Sequence, residues 1–159
     1  MPVAQTVKSY LAENQVAYDV IAHRHSASSL GSASEAHIQP GRLAKAVLLE
    51  DEFEPERFYM AVVPASNMVE MARLARQIGR PVHLATEEDA AGIFSDCEPG
   101  AIPVVGPAYG VETLVDDSLM EQPDLYFEAG DHEHLVHLET RELFWLLGEC
   151  GHGEFSRPV

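Results

Sequence analysis

Apolar positions at Val3, Val7, Tyr10 and Leu11 share one helical face and Asn14 offers a stop, so the spacing predicts a helix over residues 3–14. Residues 18–22 alternate and are rich in β-formers, which predicts a strand. A short helix is expected over 28–37, with Ser32 or Ser34 as cap and Pro40-Gly41 after its end. Residues 42–50 begin polar and become a continuous apolar run, the pattern of a buried central strand, and a second such run covers 57–64. The acidic turn between them, residues 51–56, makes the pair a hairpin. Met68, Met71, Leu74, Ala75 and Ile78 form the clearest helical stripe, predicting a helix over 67–78 opened by Ser66 or Asn67 and closed by Gly79 and Pro81. A strand over 82–85 and an acid-started helix from Thr86 to Phe94 follow. Later strands are expected over 111–115, 125–129 and 135–138, with a turn or short helix over 117–121. A last helix over 141–147 is capped by Thr140, with Phe144 and Trp145 facing inward. Strands on short turns, interrupted by separate helices, predict an α+β (mixed α/β) fold with a curved, mostly antiparallel or mixed sheet, and one domain over residues 1–159.

Residues 96–110 interrupt this pattern. Pro99, Pro103 and Pro107 remove backbone donors, and Gly100, Gly106 and Gly110 admit positive φ, so neither helix nor regular strand is expected there. What remains is an ordered, partly apolar loop, and loops of this length within a compact domain are more often functional than idle. The alternative is a rigid connector.

Charge divides the chain in two. The net charge is −16; residues 1–85 carry eight basic and nine acidic side chains, whereas residues 86–159 carry two basic and seventeen acidic ones. The second half repels nucleic acid, so a polyanionic partner must meet the first, where Arg24, Arg42, Lys45, Arg73, Arg76 and Arg80 lie. No apolar run approaches the ~18 residues of a membrane span, and the opening Met-Pro-Val has no basic-then-apolar leader. Two cysteines without zinc-ligand spacing provide no disulfide framework. A soluble, cytoplasmic chain without membrane or DNA partners is the expectation.

Several residues could carry chemistry. His23 and His25 point to one side of an extended segment and can bind metal or phosphate. Lys45, one of only two lysines, heads the central apolar run; it either snorkels to the rim or aims its ammonium into a pocket at an anionic group. Asp131, His132, His134 and His137 form a candidate metal cluster, although His137 does not share the face of the other two on an extended segment. A Gly-x-Ser-x-Gly elbow is absent, and Cys97, between Asp96 and Glu98, reads as a packed small residue.

Taken in order, Arg42-Leu-Ala-Lys45-Ala-Val-Leu-Leu, Ala61-Val-Val-Pro64, the Leu74/Ile78 helix, Pro99-Gly-Ala-Ile-Pro103 to Gly106, Asp116 and Ala129-Gly130 resemble the YbaK/ProX family of aminoacyl-tRNA deacylases, related to the editing domain of bacterial prolyl-tRNA synthetases. The resemblance implies a mixed α/β fold around a curved sheet and hydrolysis of the ester joining a wrong amino acid to tRNA; no cofactor or metal is expected, and an apolar Ile102, which would shrink the pocket, favours a small amino acid. It implies an oxyanion site of free N–H groups at Gly100, Ala101 and Ile102, a role for Lys45 at the terminal phosphate or ribose, and Gly130 on the opposite wall. His25, Arg42, Pro103, Asp131 and His132 are the residues expected to bind the substrate, whose partners would be the acceptor end of a mischarged tRNA and a synthetase. The family loop commonly reads Gly-x-x-x-Pro with a small hydroxyl residue before the proline; here Pro99 and Ile102 occupy those positions. A catalytically silent module binding tRNA, a nucleotide or a protein is the alternative, and a metal-dependent hydrolase a third.

Overall fold

Two long apolar strands form the centre. Strand β2 (Leu43–Asp51) pairs antiparallel with β3 (Phe58–Pro64) in a register that runs from Ala44 opposite Pro64 to Glu50 opposite Phe58. Their side chains alternate between two apolar layers, so both faces of each strand are covered; this is why the sequence reads as unbroken apolar runs. The structure, a computed structural model, describes residues 3–159; Met1 and Pro2 lie outside the described residues.

Around this pair the sheet is mixed, as expected. With β1 (Asp19–Ala22), β5 (Val82–Leu84), β6 (Glu112–Asp116), β7 (Asp124–Glu128), β8 (His134–Glu139) and β9 (Gly151–Gly153), the order is β1-β8-β7-β2-β3-β6-β9, and β5 also pairs with β2. The β2–β7, β3–β6 and β6–β9 pairs are parallel and the others antiparallel. Helices α1 (Gln5–Glu13) and α5 (Thr140–Leu147) cover one face through Val7, Leu11, Leu143 and Leu146, against Met60, Val62, Phe127 and Val136. On the other face, Leu74 of α3 (Met71–Ile78) and Phe155 pack on Tyr59, Ala61 and Val63. Helix α2 (Ser29–Glu35) sets Ala33 against Leu43 and Leu135, while α4 (Glu87–Ile93) leads into the proline-rich segment.

Five expectations are corrected. Residues 67–69 are not helical: Asn67–Val69 is a strand, β4, paired with β10 (Ser156–Pro158), and the Asn67 amide donates to Ser156 Oγ at 3.0 Å. Met68 and Met71 fit a helical stripe, but backbone pairing with a segment ninety residues away decides the conformation. Helix α2 is capped by Ser28, whose Oγ accepts from Gly31 N, rather than by Ser32 or Ser34. Thr140 does not cap α5; its hydroxyl donates to the Gln122 carbonyl. Leu143, Leu146 and Leu147, not Trp145, face the core, and Trp145 is 66% exposed. The 96–110 segment, expected to be without helix, holds a 3-10 turn at Gly106–Tyr109, and its apolar residues Ala101, Pro103, Val104 and Val105 are buried.

A buried carboxylate closes the central hairpin. Asp51 accepts from Phe53 N (2.9 Å), Glu54 N (3.0 Å) and the Tyr59 hydroxyl (3.0 Å) and is ion-paired with Arg80. Arg80 is therefore committed to the fold and does not extend a phosphate-facing row with Arg73 and Arg76. The Arg80 guanidinium, foremost, holds the Asp51 carboxyl well below the usual carboxylate range. Stability from this group is complete above the ordinary carboxylate pKa and lost as pH falls through the depressed one. Asp51→Asn is expected to lower the urea midpoint at neutral pH, with the gap to wild type closing in strong acid; a constant gap would contradict this linkage.

Candidate active site

Strand β2 has neighbours on its second edge only at its ends. Leu43 and Ala44 pair with β7, and Leu49, Glu50 and Asp51 pair with β5. Among the described residues no strand pairs with residues 45–48 on that edge, although Ala85 N donates to the Leu48 carbonyl at 3.0 Å. Because backbone groups alternate along a strand, the N–H and C=O of Ala46 point the same way as those of Leu48, into the break. A cavity of about 270 Å³ opens there, walled by Ala46 and Leu48 of the strand, Ala90 and Phe94 from the α4 segment, and Gly100 and Ile102 from the proline-rich loop.

The loop reaches the break through a tight turn. Pro99 presets φ at the second position of Glu98–Ala101, Gly100 takes φ +82° at the third, and Ala101 N donates back to the Glu98 carbonyl at 3.0 Å, the pattern of a type II turn. Thus Gly100, not Pro99, takes the conformation that favours glycine. Two hydrogen bonds pin the turn to the β7–β8 connection: Glu98 N donates to the Gly130 carbonyl at 2.8 Å, and His132 Nε2 donates to the Pro99 carbonyl at 2.5 Å. Gly130, at φ +121°, has room for no side chain, since a Cβ would lie 3.0 Å from that of Ala4 and 3.3 Å from Cys97 Sγ. The His25 ring stands edge-on to His132, with centroids 5.4 Å apart.

Gly100, Gly130, His132 and His25 are therefore brought together, and Ile102 borders the same cavity. The Ala101 N–H is used within the turn, so of the three amides expected at an oxyanion site Ala101 drops out; among the described residues, those of Gly100 and Ile102 have no backbone acceptor. Pro103 is buried and does not border the cavity. Asp131 shapes its own turn: Oδ1 accepts from Glu133 N and His134 N at 2.9 Å, and Oδ2 lies 2.6 Å from His134 Nδ1. Arg42 is ion-paired with Asp124, which also meets His137 Nε2 at 2.6 Å at the far end of β7. The histidines of the 131–137 cluster thus go to separate partners, and among the described residues no three metal-ligating side chains converge.

Lys45 leaves β2 opposite Val63, on the face away from Ala46, so it stands at the break without bordering the cavity. It is half-buried, and among the described residues no carboxylate lies within 4 Å of it. Burial pulls its ammonium below the ordinary lysine value. Burial also pushes the Cys97 thiol up to about 11, so it stays protonated at neutral pH and is no nucleophile. Sequence reasoning passed over Glu128, which is 2% exposed with both carboxyl oxygens unpartnered among the described residues. The signal was a glutamate inside the apolar run Leu-Tyr-Phe-Glu-Ala. Since an L-side chain at positive φ costs about 1–2 kcal/mol, Gly100→Ala is expected to lose roughly that much stability in urea denaturation; an unchanged midpoint would show that the turn relaxes without cost.

Comparison with known proteins fits this geometry. The fold matches a hypothetical protein with a TM-score of 0.84 at 17% identity, covering 96% of this chain and 100% of that one. It matches a candidate trans-editing enzyme for prolyl-tRNA synthetase with a TM-score of 0.81 at 20% identity, covering 99% and 98%. A signal-transduction protein from Marinobacter aquaeolei VT8 contains a similar fold in 30% of its length, covering 95% of this chain with a TM-score of 0.75 and 17% identity. At such identities these likenesses speak for the fold alone. The aminoacyl-tRNA editing domain family, by contrast, matches the sequence itself over residues 23–146, and the chain belongs to that family.

Proposed function

We propose that this protein is a trans-editing hydrolase that cleaves the ester of mischarged aminoacyl-tRNA carrying a small amino acid. The observation that carries the reading is the break in the central sheet, where an apolar cavity meets two loop amides that have no backbone acceptor among the described residues, with Lys45 on the opposite face of the same strand. An aminoacyl ester is already activated, so the site needs a held water and donors for the developing oxyanion rather than a protein nucleophile. The Gly100 and Ile102 amides suit the second task. The amino-acid side chain would enter the cavity against Ala46, Ala90 and Ile102, where size discriminates by about 10- to 200-fold per methylene. Lys45 would approach the terminal phosphate or ribose. Arg24 is exposed beside His25 and, among the described residues, makes no ion pair, so it suits the acceptor end. The acidic second half would weaken unassisted tRNA binding and favour action with a synthetase in the cytoplasm.

A catalytically silent binding module is the second reading, favoured by the occupied Ala101 amide and by the position of Lys45 outside the cavity wall. Deacylation of alanyl-, seryl- and cysteinyl-tRNA-Pro separates the two. Wild type is expected to cleave at least one species. Lys45→Ala is expected to lose about tenfold or more, in line with removal of one charge-stabilising contact. Folded protein that cleaves none of the panel would move the weight to the binding module. Ala90→Phe fills the cavity from α4 and is expected to abolish cleavage while leaving the urea midpoint within about 1–3 kcal/mol of wild type; full activity in that variant would remove the cavity from the reading.

A further inference from the structure

Behind the Gly100 turn lies an enclosed polar cluster that the proposed reaction does not use. Glu128 ends β7 at 2% exposure, Ser32 of α2 is fully buried, and His132 is 4% exposed in the β7–β8 turn. His23 follows β1, its N–H donating to the Glu133 carbonyl at 2.8 Å. Five atoms of these side chains, Glu128 Oε1 and Oε2, Ser32 Oγ, His23 Nε2 and His132 Nδ1, are buried without a hydrogen-bond partner among the described residues. Buried polar atoms are costly to leave unpaired, and Ser32, His132 and His23 all lie near enough to act on the Glu128 carboxyl.

The donors can be counted. A carbonyl only accepts, so His132 carries its proton on Nε2, facing Pro99 O, and His23 carries its proton on Nδ1, which lies 2.7 Å from Arg24 O. In neutral rings His132 Nδ1 and His23 Nε2 are then both acceptors. An ionised Glu128 would add acceptors only, leaving the Ser32 hydroxyl as the single donor for all of them. The set is short of protons.

We infer that Glu128 is a positioning residue of the site: its carboxyl keeps a proton that it shares within the cluster as the missing hydrogen-bond donor, and this donor fixes the His132 ring so that Nε2–H stays on the Pro99 carbonyl and Gly100 stays against the cavity. The ring is well placed for this, with Cε1 3.4 Å from where a Gly100 Cβ would stand. The electrostatics agree, since burial pushes the Glu128 carboxyl above the ordinary carboxylate value. Ser32, His132 and His23 oppose that rise and the Asp131 carboxylate reinforces it. On the adjoining strand β2, the charged residue Lys45 follows Ala44, the register partner of Phe127.

Only the activity arm of the test rests on the editing reading. Carboxyl 13C and imidazole 15N spectra are recorded across pH for wild type, Glu128→Gln and Glu128→Ala. Wild type is expected to show one carboxyl that titrates above the others and vanishes in both variants, with His132 in the Nε2–H form. Glutamine supplies a permanent donor and is expected to keep that form to higher pH than wild type; alanine is expected to lose it. In deacylation, Glu128→Ala should lower kcat by roughly ten- to a hundred-fold with little change in KM, as a displaced turn would, while Glu128→Gln retains most activity and flattens the alkaline limb of the pH profile. If alanine prevents folding, the glutamine spectra decide. Glu128 titrating with the surface carboxylates, or unchanged His132 signals in the variants, overturns the inference. An inactive wild type with the expected spectra would instead overturn the editing reading and leave the shared proton standing.

Discussion

Backbone hydrogen bonding in the middle of one strand governs the rest of this structure. Every strand N–H and C=O needs a partner, and β2 obtains them from β3 along one edge but only at its two ends along the other. At Ala46 the edge faces a cavity. A sheet continuous across this point would bury those groups and leave no room for a ligand; a sheet ending there would lose β5 or β7. The break keeps both flanking strands, which hold β2 rigid, and leaves a short stretch of main chain free to meet a ligand.

The loop that closes the cavity is held by main-chain carbonyls rather than by side-chain packing alone. The Gly130 carbonyl takes the Glu98 amide and the Pro99 carbonyl takes the His132 ring, so the loop and the β7–β8 turn are tied to each other at two points. The glycine at 130 follows from close approach: Ala4 and Cys97 occupy the space of a side chain. Gly100 and Gly130 both take a positive φ, and Gly130 meets the close approach in addition.

The charges follow the same division between fold and site. Asp51 and Asp116 are buried acids with full sets of donors, Asp51 closing the hairpin and Asp116 accepting from Ser118 and from Phe155 N at 3.0 Å to dock the C-terminal tail. Arg80 is consumed in its pair with Asp51, and Arg42 in its pair with the partly exposed Asp124. Among the described residues, half-buried Lys45 at the break and buried Glu128 behind the turn have no ion-pair partner, and groups of this kind are retained at functional sites more readily than in a plain core.

By itself the sequence determined the central hairpin, the mixed sheet, the acid-started helix and the irregular backbone of the Pro99-Gly100 segment, because apolar periodicity, capping residues and turn residues act over a few neighbours. It also marked Lys45, Gly100, Gly130 and His132, through residue types that are unusual in their local setting and through the order in which the family motifs recur. Whatever depends on contacts between distant segments was decided only by the tertiary structure. Residues 67–69 became a strand because the C-terminal tail supplied their backbone partners, and Trp145 turned outward because three leucines of the same helix fill the core. The three histidines after Asp131 separated because each met a different carboxylate or carbonyl. The cavity belongs to this second class, since an unpaired stretch of β2 exists only once β5 and β7 have chosen where to stop; a local pattern carries no record of where a neighbouring strand ends.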